Sequence, residues 1–287
     1  MPSLIDIRRR IRSVKNTQQI TKAMKMVSAA KLRRAQDRVT GARPYSAMLE
    51  RMLQNVAKAA SQSEEAQANP LLQRREEKRI QLLVISGDRG LAGAFNSNVI
   101  KATQKFMAAH KDAEITLELM GKRGRDFFRK RWDRVSGEHS ALFLKVVDYN
   151  AALEIARKVL DKFEKAEIDA VYVIGNTFKS VVAPELVTSR ILPVEVPEGG
   201  EQIDYIYEQP PAELLGSLLP RYVETRIYRM MLESAAAEHA ARMTAMDTAS
   251  SNASDVIEKL TLNMNRVRQA SITREIIEIV SGAAALG

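Results

Sequence analysis

The sequence predicts a mixed α/β protein in which a long helix, a mostly parallel α/β insert and a second long helix follow one another. Three observations carry this. Both ends of the chain hold sustained 3,4 spacings of core-type positions. The middle holds short branched apolar runs alternating with amphipathic helices. Only 5% of the residues are aromatic, which suits long helices filled by Ala, Leu, Met and Val.

Residues 4–56 keep one register: Leu4, Ile7, Ile11, Val14, Gln18, Thr21, Lys25, Ser28, Leu32, Ala35, Val39, Ala42, Ser46, Leu49, Leu53, Val56. That is the period of a left-handed coiled coil, and as one helix it spans roughly 75–80 Å. Gly41 and Pro44 are expected to bend it. The four positions from Gln18 to Ser28 are polar, whereas Ile20, Met24 and Val27 lie off the seam, so the apolar face swings sideways there. Residues 58–78 are polar and read as a connector.

Strands are expected over 79–86, 114–121, 170–176 and 187–196, and helices over 95–110, 122–132 and 151–168. Asn96 or Ser97 suits the cap of the first of these helices. From about Pro211 the chain is helical again, with a late seam through Val256, Leu260, Asn263, Val267, Ala270, Arg274, Ile277, Ser281 and Ala284. A helix of this length with a half-apolar stripe needs a partner. The cheapest is the other terminal helix, returned antiparallel by the insert. The resulting division is a shaft helix over 1–57, a connector over 58–78, a base domain over 79–208 and a second shaft helix over 209–287.

Composition removes several functions. The absence of cysteine excludes disulfides and thiolate metal sites. His110, His139 and His239 show no ligand spacing. No apolar stretch reaches the length of a membrane span, and the start has no signal-peptide core. The net charge of +9 is concentrated: residues 1–57 hold 13 Lys/Arg against 3 Asp/Glu, a net +10, and the rest of the chain balances at −1. That segment calls for an anionic partner, either nucleic acid or an acidic protein surface.

The stretch "SGDRGLAG" (86–93) ends an apolar run in glycines and opens a helix, as a phosphate cradle does. Its spacing is G-x-x-G-x-x-G, not G-x-G-x-x-G; no Gly-Lys-Ser/Thr follows, and the acid of the next strand, Glu118, lies inside it. A strand-to-helix turn accounts for the glycines, and Asp88–Arg89 reads as a turn ion pair or a subunit contact. No nucleophile–base–orienter set assembles by spacing. Three readings stand at this point: a nucleotide-using α/β enzyme, a basic coiled-coil nucleic-acid binder, and a helical shaft with a protein partner.

Four ordered blocks, "NTQQITKAMKMVSAAKLRRAQ" (16–36), "SGDRGLAGAFNSN" (86–98), "AARMTAMDTASSNASDVI" (240–257) and "NRVRQASITREIIEIVSGAAAL" (265–286), closely resemble the gamma subunit of bacterial F-type ATP synthases. The resemblance implies an antiparallel coiled coil of the terminal helices carrying an inserted Rossmann-like domain. It implies no catalytic residue, metal or cofactor. Its implied partners are the alpha and beta subunits of a hexamer around the shaft, the epsilon subunit and the c-subunit ring, with no nucleic acid. The chain would lie peripherally on the cytoplasmic face of the bacterial plasma membrane. By position, Met24 and Lys25 would face the acidic lever of beta. Arg242, Gln269, Thr273 and Glu275 would meet hexamer loops or brace the shaft. Tyr205, Tyr207 and Glu208 would form the foot toward the c ring, and the C-terminal "SGAAALG" would sit in an apolar sleeve.

Overall fold

The structure is a computed structural model that describes residues 3–61, 63–144, 146–178, 184–196 and 207–284. Two helices dominate, α1 (Leu4–Ala59) and α6 (Pro211–Ala284). Between them come α2 (Glu64–Gln67), β1 (Arg79–Ile85), α3 (Phe95–Ala109), β2 (Glu114–Met120), α4 (Lys122–Phe128), β3 (Val135–His139), α5 (Tyr149–Glu164), β4 (Ala170–Phe178) and β5 (Pro184–Leu192). The chain divides into two compact units, residues 29–242 and residues 1–28 with 243–287.

In the larger unit the five strands are ordered β3-β2-β1-β4-β5. The first four run parallel and β5 returns antiparallel on β4. Strand β1 is central, and Ile80 to Ile85 are all buried, the continuous burial expected of a strand covered on both faces. Helix α3 buries Val99, Thr103 and Phe106, one face at helical spacing. Helix α5 buries Ile155, Val159 and Phe163 among others and is capped by Asp148, whose carboxylate accepts from the Asn150 amide.

Several expectations need correction. Neither Asn96 nor Ser97 caps α3: Ala94 stands at the cap, Asn96 Oδ1 instead accepts from the Gly87 amide at 2.9 Å, and Ser97 donates to the Ala94 carbonyl. The helix expected over 122–132 ends at Phe128, and the strand expected over 187–196 is β5, Pro184–Leu192. The connector contains α2 and a 3-10 turn at Pro70–Leu72 that buries Leu71. Strand β3 escaped the reading because its "VSGEH" has no apolar alternation; it is held by pairing with β2 and by polar contacts.

Helix α1 continues through Gly41 and Pro44 and is one helix over its whole range. Its start is fixed by a reciprocal cap: Ser3 N donates to Asp6 Oδ2, and Asp6 N donates to Ser3 Oγ. Gly41 is exposed, and a Cβ built on it meets nothing within 4 Å. Gly41→Ala is therefore expected to stabilise the chain by roughly 0.5–1 kcal/mol, through lower chain entropy in the unfolded state. A urea midpoint that falls would show that this glycine is required.

In the smaller unit α1 and α6 pair antiparallel. Lys25 meets Asp247, Thr21 meets Ser250 and Gln18 meets Ser254, so the partner number rises as the first falls. Every seam position read from α1 is buried or half-buried. The seam of α6 is not the one expected. Val256, Asn263, Ala270, Arg274 and Ile277 are exposed; the facing positions are Met246, Ser250, Ala253, Ile257, Leu260, Met264 and Val267. The two series share only Leu260 and Val267. Apolar residues lie on both faces of α6, and its register is set by polar pairs that an apolar count does not register.

Candidate functional site

The crevice beyond the carboxyl ends of the strands is where a doubly wound sheet holds its ligand. Here the loop after β1 is tied shut from several sides. Ser86 N donates to the Met120 carbonyl, and Ser86 Oγ accepts from the Gly124 amide at 2.8 Å. Gly121 has φ +96°, and a Cβ there would lie 2.0 Å from the Ser86 carbonyl oxygen, so no other residue fits.

Asp88 is buried, and its carboxylate accepts from three backbone amides, Lys122 and Ala141 at 2.9 Å and Phe143 at 2.7 Å. Lys122 opens α4, so the carboxylate sits where an anion complements that helix end. The expected Asp88–Arg89 turn ion pair does not form; Asp88 is the anchor of two loops instead.

Helix α6 closes the crevice. A Cβ added to Gly87 would lie 2.8–3.0 Å from the Glu238 carboxylate. Arg242 donates to the Gly90 carbonyl through Nε and Nη2, both at 3.3 Å, and pairs with Glu238 one helical turn back. Burial pushes the Glu238 carboxyl above the usual range, against the pull of Arg242. His239 is pushed down to about 4, by burial first and then by Arg242 and Lys31.

The His239 shift has a defined sign. Between pH 6.5 and about 4 the unfolded chain binds the proton and the folded chain does not. Stability is therefore complete above 6.5 and is lost as pH falls through that window. From pH 7 to pH 5 this amounts to about 2 kcal/mol. His239→Gln is expected to remove that part of the pH dependence; identical slopes for both chains in urea unfolding at the two pH values would contradict the assignment.

A second buried polar cluster lies on the other side of the sheet order, at β2 and β3. Glu118 accepts from Ser136 Oγ at 2.5 Å and Gln81 Nε2 at 3.2 Å, and its Oε1 lies 2.6 Å from His139 Nε2. Burial raises its carboxyl, but the bonds from His139 and Ser136 outweigh that and hold it below the usual carboxylate range. Gly137 leaves room for this carboxylate, since a Cβ there would come within 2.0 Å of it. The cluster fastens the polar strand that the sequence hid.

In the smaller unit, Thr21 and Ser28 are buried, at 8% and 3% exposure, whereas Ile20 and Val27 are 60% and 57% exposed. The swing of the apolar face is thus real. Thr21 Oγ1 lies 2.7 Å from Ser250 Oγ, and Gln18 donates to Ser254 at 2.5 Å. Lys25 Nζ lies 2.6 Å from Asp247 Oδ1, and Met24 is half-buried beside it. Extending the register brings Leu4 opposite the neighbourhood of Arg268. Beyond that point α6 has no α1 beside it, and Ile272, Ile276, Ile277, Ile279 and Val280 are all exposed.

Gln269, Thr273 and Glu275 lie exposed on that last stretch. Thr273 Oγ1 donates to the Gln269 carbonyl, and Glu275 accepts from Ser271. Tyr207 is half-buried and Glu208 exposed, and Tyr205 falls outside the described residues. The structure thus joins Lys25 to Asp247 and Arg242 to Glu238 and Gly90. Asp247 was not legible without the register of the pair. Glu238 had a signal, its i,i+4 spacing from Arg242.

Among the described residues no helix is long and apolar enough to cross a membrane. The α/β domain has its ligand crevice filled by its own terminal helix, and the chain also carries a polar-seamed helix pair. The family model described as ATP synthase matches residues 3–286. The ATP synthase gamma chain of Solibacter usitatus is 64% identical over 285 residues, 99% of each chain. That of Pelotomaculum thermopropionicum is 50% identical over the whole of both. The chain belongs to the ATP synthase gamma chain family and is a non-catalytic subunit. The fold agrees with a chain of the Tetrahymena thermophila mitochondrial ATP synthase central stalk and c ring, with TM-score 0.62 and 24% identity over 80% of this chain and 99% of that one. It also agrees with a chain of the Euglena gracilis enzyme, with TM-score 0.66 and 17% identity over 99% and 94%.

Proposed function

We propose that the chain is the rotating central shaft of an ATP synthase, transmitting ion-driven rotation of the c ring to ATP synthesis and hydrolysis at the beta subunits. The observation that carries this is the end-to-end match to gamma chains, which includes both terminal helices. Its partners in this reading are the alpha and beta subunits, epsilon and the c ring, at the cytoplasmic face of a bacterial plasma membrane.

The site residues divide by role. Met24 and Lys25 border the exposed Ile20 and Val27 and would meet the acidic lever of beta, with Asp247 setting the pose of Lys25. Gln269, Thr273 and Glu275 would meet hexamer loops, and the C-terminal "SGAAALG", whose last three residues lie outside the described residues, would sit in an apolar sleeve. Arg242, buried against Gly90 and Glu238, would brace the shaft. Tyr205, Tyr207 and Glu208 would face the c ring. An asymmetric shaft gives each of three identical beta subunits a different contact energy, so each turn shifts which conformation each one prefers.

Co-expression with its own alpha and beta subunits tests the reading. The chain is expected to be recovered at one copy per three alpha and three beta, and to turn during ATP hydrolysis when a bead is fixed to the α/β domain. A hexamer that forms, hydrolyses ATP and excludes this chain would overturn it.

A further inference from the structure

A cavity of about 210 Å³ in the larger unit is walled by α1, by α6 and by the loop between β3 and α5. It is smaller than the roughly 300–1,000 Å³ of a drug-sized site. Its two halves differ in chemistry. Lys31, Arg34 and Arg38 stand along one side, spaced three and four residues apart on one face of α1. Among the described residues none of the three makes an ion pair, and no acidic side chain lines the cavity. The one histidine of the lining, His239, is neutral at pH 7. Opposite the cations lie Leu144, Val147, Leu232 and Ala235.

The apolar wall is built, not incidental. Asp88 pins its loop through the Ala141 and Phe143 amides, Ala141 takes φ +68°, and Val147 is buried. Leu144 nevertheless leaves 41% of its surface exposed at the mouth. Three cations without an ion-pair partner, of which only Lys31 feels a nearby carboxylate, that of Glu238, stand beside a fixed apolar floor and match a ligand with a negative head and a short tail. Arginine adds the fork geometry that holds a carboxylate by two hydrogen bonds.

We propose that this cavity binds a short-chain amphiphilic carboxylate, with the head between Arg34 and Arg38 and the tail against Leu144, Val147 and Leu232. The free monomeric anion is the occupant, not a lipid surface. The inference is independent of the rotary function.

Calorimetric titration of the full chain with octanoate tests it. Octanoate is expected to saturate at one site. Octanol, without the charge, and acetate, without the tail, should each bind at least about tenfold more weakly, a difference of about 1.4 kcal/mol. Arg34→Gln with Arg38→Gln should weaken octanoate about tenfold or more; both side chains are exposed, so folding is kept. Ala235→Leu should abolish binding by filling the cavity, and Ile276→Ser with Ile279→Ser should leave it unchanged. Three results would each overturn the proposal: no saturable heat with octanoate, equal binding by octanol, or loss of binding only in the Ile276/Ile279 variant. So would affinity for phosphatidylglycerol vesicles that depends on Arg34 and Arg38 when octanoate does not bind.

Discussion

Arg242→Leu is expected to destabilise the chain by about 3–5 kcal/mol, because it strands a buried carboxylate. Glu238 is 3% exposed, and Arg242 is its ion-pair partner. The same substitution frees the Gly90 carbonyl, which receives two bonds from the guanidinium. The loss of a surface charge would cost far less, within about 1 kcal/mol. Glu238→Gln in the Arg242→Leu background removes the stranded charge and should restore more than half of the lost stability. A double-mutant cycle by urea unfolding measures this directly. If Arg242→Leu costs under 1 kcal/mol, or if the Gln change fails to compensate, the closure of the crevice by α6 is not held by this pair.

That crevice also marks the limit of what the sequence disclosed. The glycines of "SGDRGLAG" argued for a tight turn, and the spacing argued against a phosphate. What fills the space instead, Glu238 and Arg242 from the far end of the chain, has no signature near the loop. Asp88 looked like half of a turn ion pair because its neighbour is Arg89; its true partners are backbone amides of loops brought close by the sheet. The seam of α1 was legible in full because burial on a helix pair repeats with the heptad, whatever the residue type. The seam of α6 was misassigned where apolar residues occupy both faces and small or polar ones, Ser250 and Ala253, face the partner. Strand β3 was missed for a related reason. Its anchoring to Glu118 is polar, and periodicity sees only apolar alternation. The partner contacts proposed above come from the resemblance to gamma chains alone, since single-chain geometry contains none.

Replacing Gln18, Thr21, Lys25 and Ser28 together with leucine is expected to stabilise the helix pair and weaken its mechanical coupling. Two of the four positions, Thr21 and Ser28, are already buried, and burying a leucine at each contributes roughly 1.5–3 kcal/mol. Gln18 and Lys25 are half-buried and add less. Against this stand the lost Thr21–Ser250, Gln18–Ser254 and Lys25–Asp247 contacts, the second of them exposed. The hydroxyl pair is worth about 1 kcal/mol, and an ion pair this exposed under 1 kcal/mol. Ser250 also keeps its bond to the Met246 carbonyl, so no buried donor is orphaned. The net gain expected is about 2–4 kcal/mol where the new side chains pack without strain. The functional effect has the opposite sign. With an apolar seam through this section, Ile20 and Val27 no longer lie beside the weakest part of the pair, and, on the proposal that this section meets beta, it would lose the compliance with which an off-axis surface presses there. ATP hydrolysis by the reconstituted complex should continue while protons pumped per ATP fall at least twofold. Thermal unfolding of the isolated chain and pumping by the reconstituted enzyme measure the two halves separately. A stabilised chain with unchanged pumping would leave the polar section without a mechanical role, and a destabilised chain would mean that Ser250 and Ala253 cannot accommodate leucine across the seam.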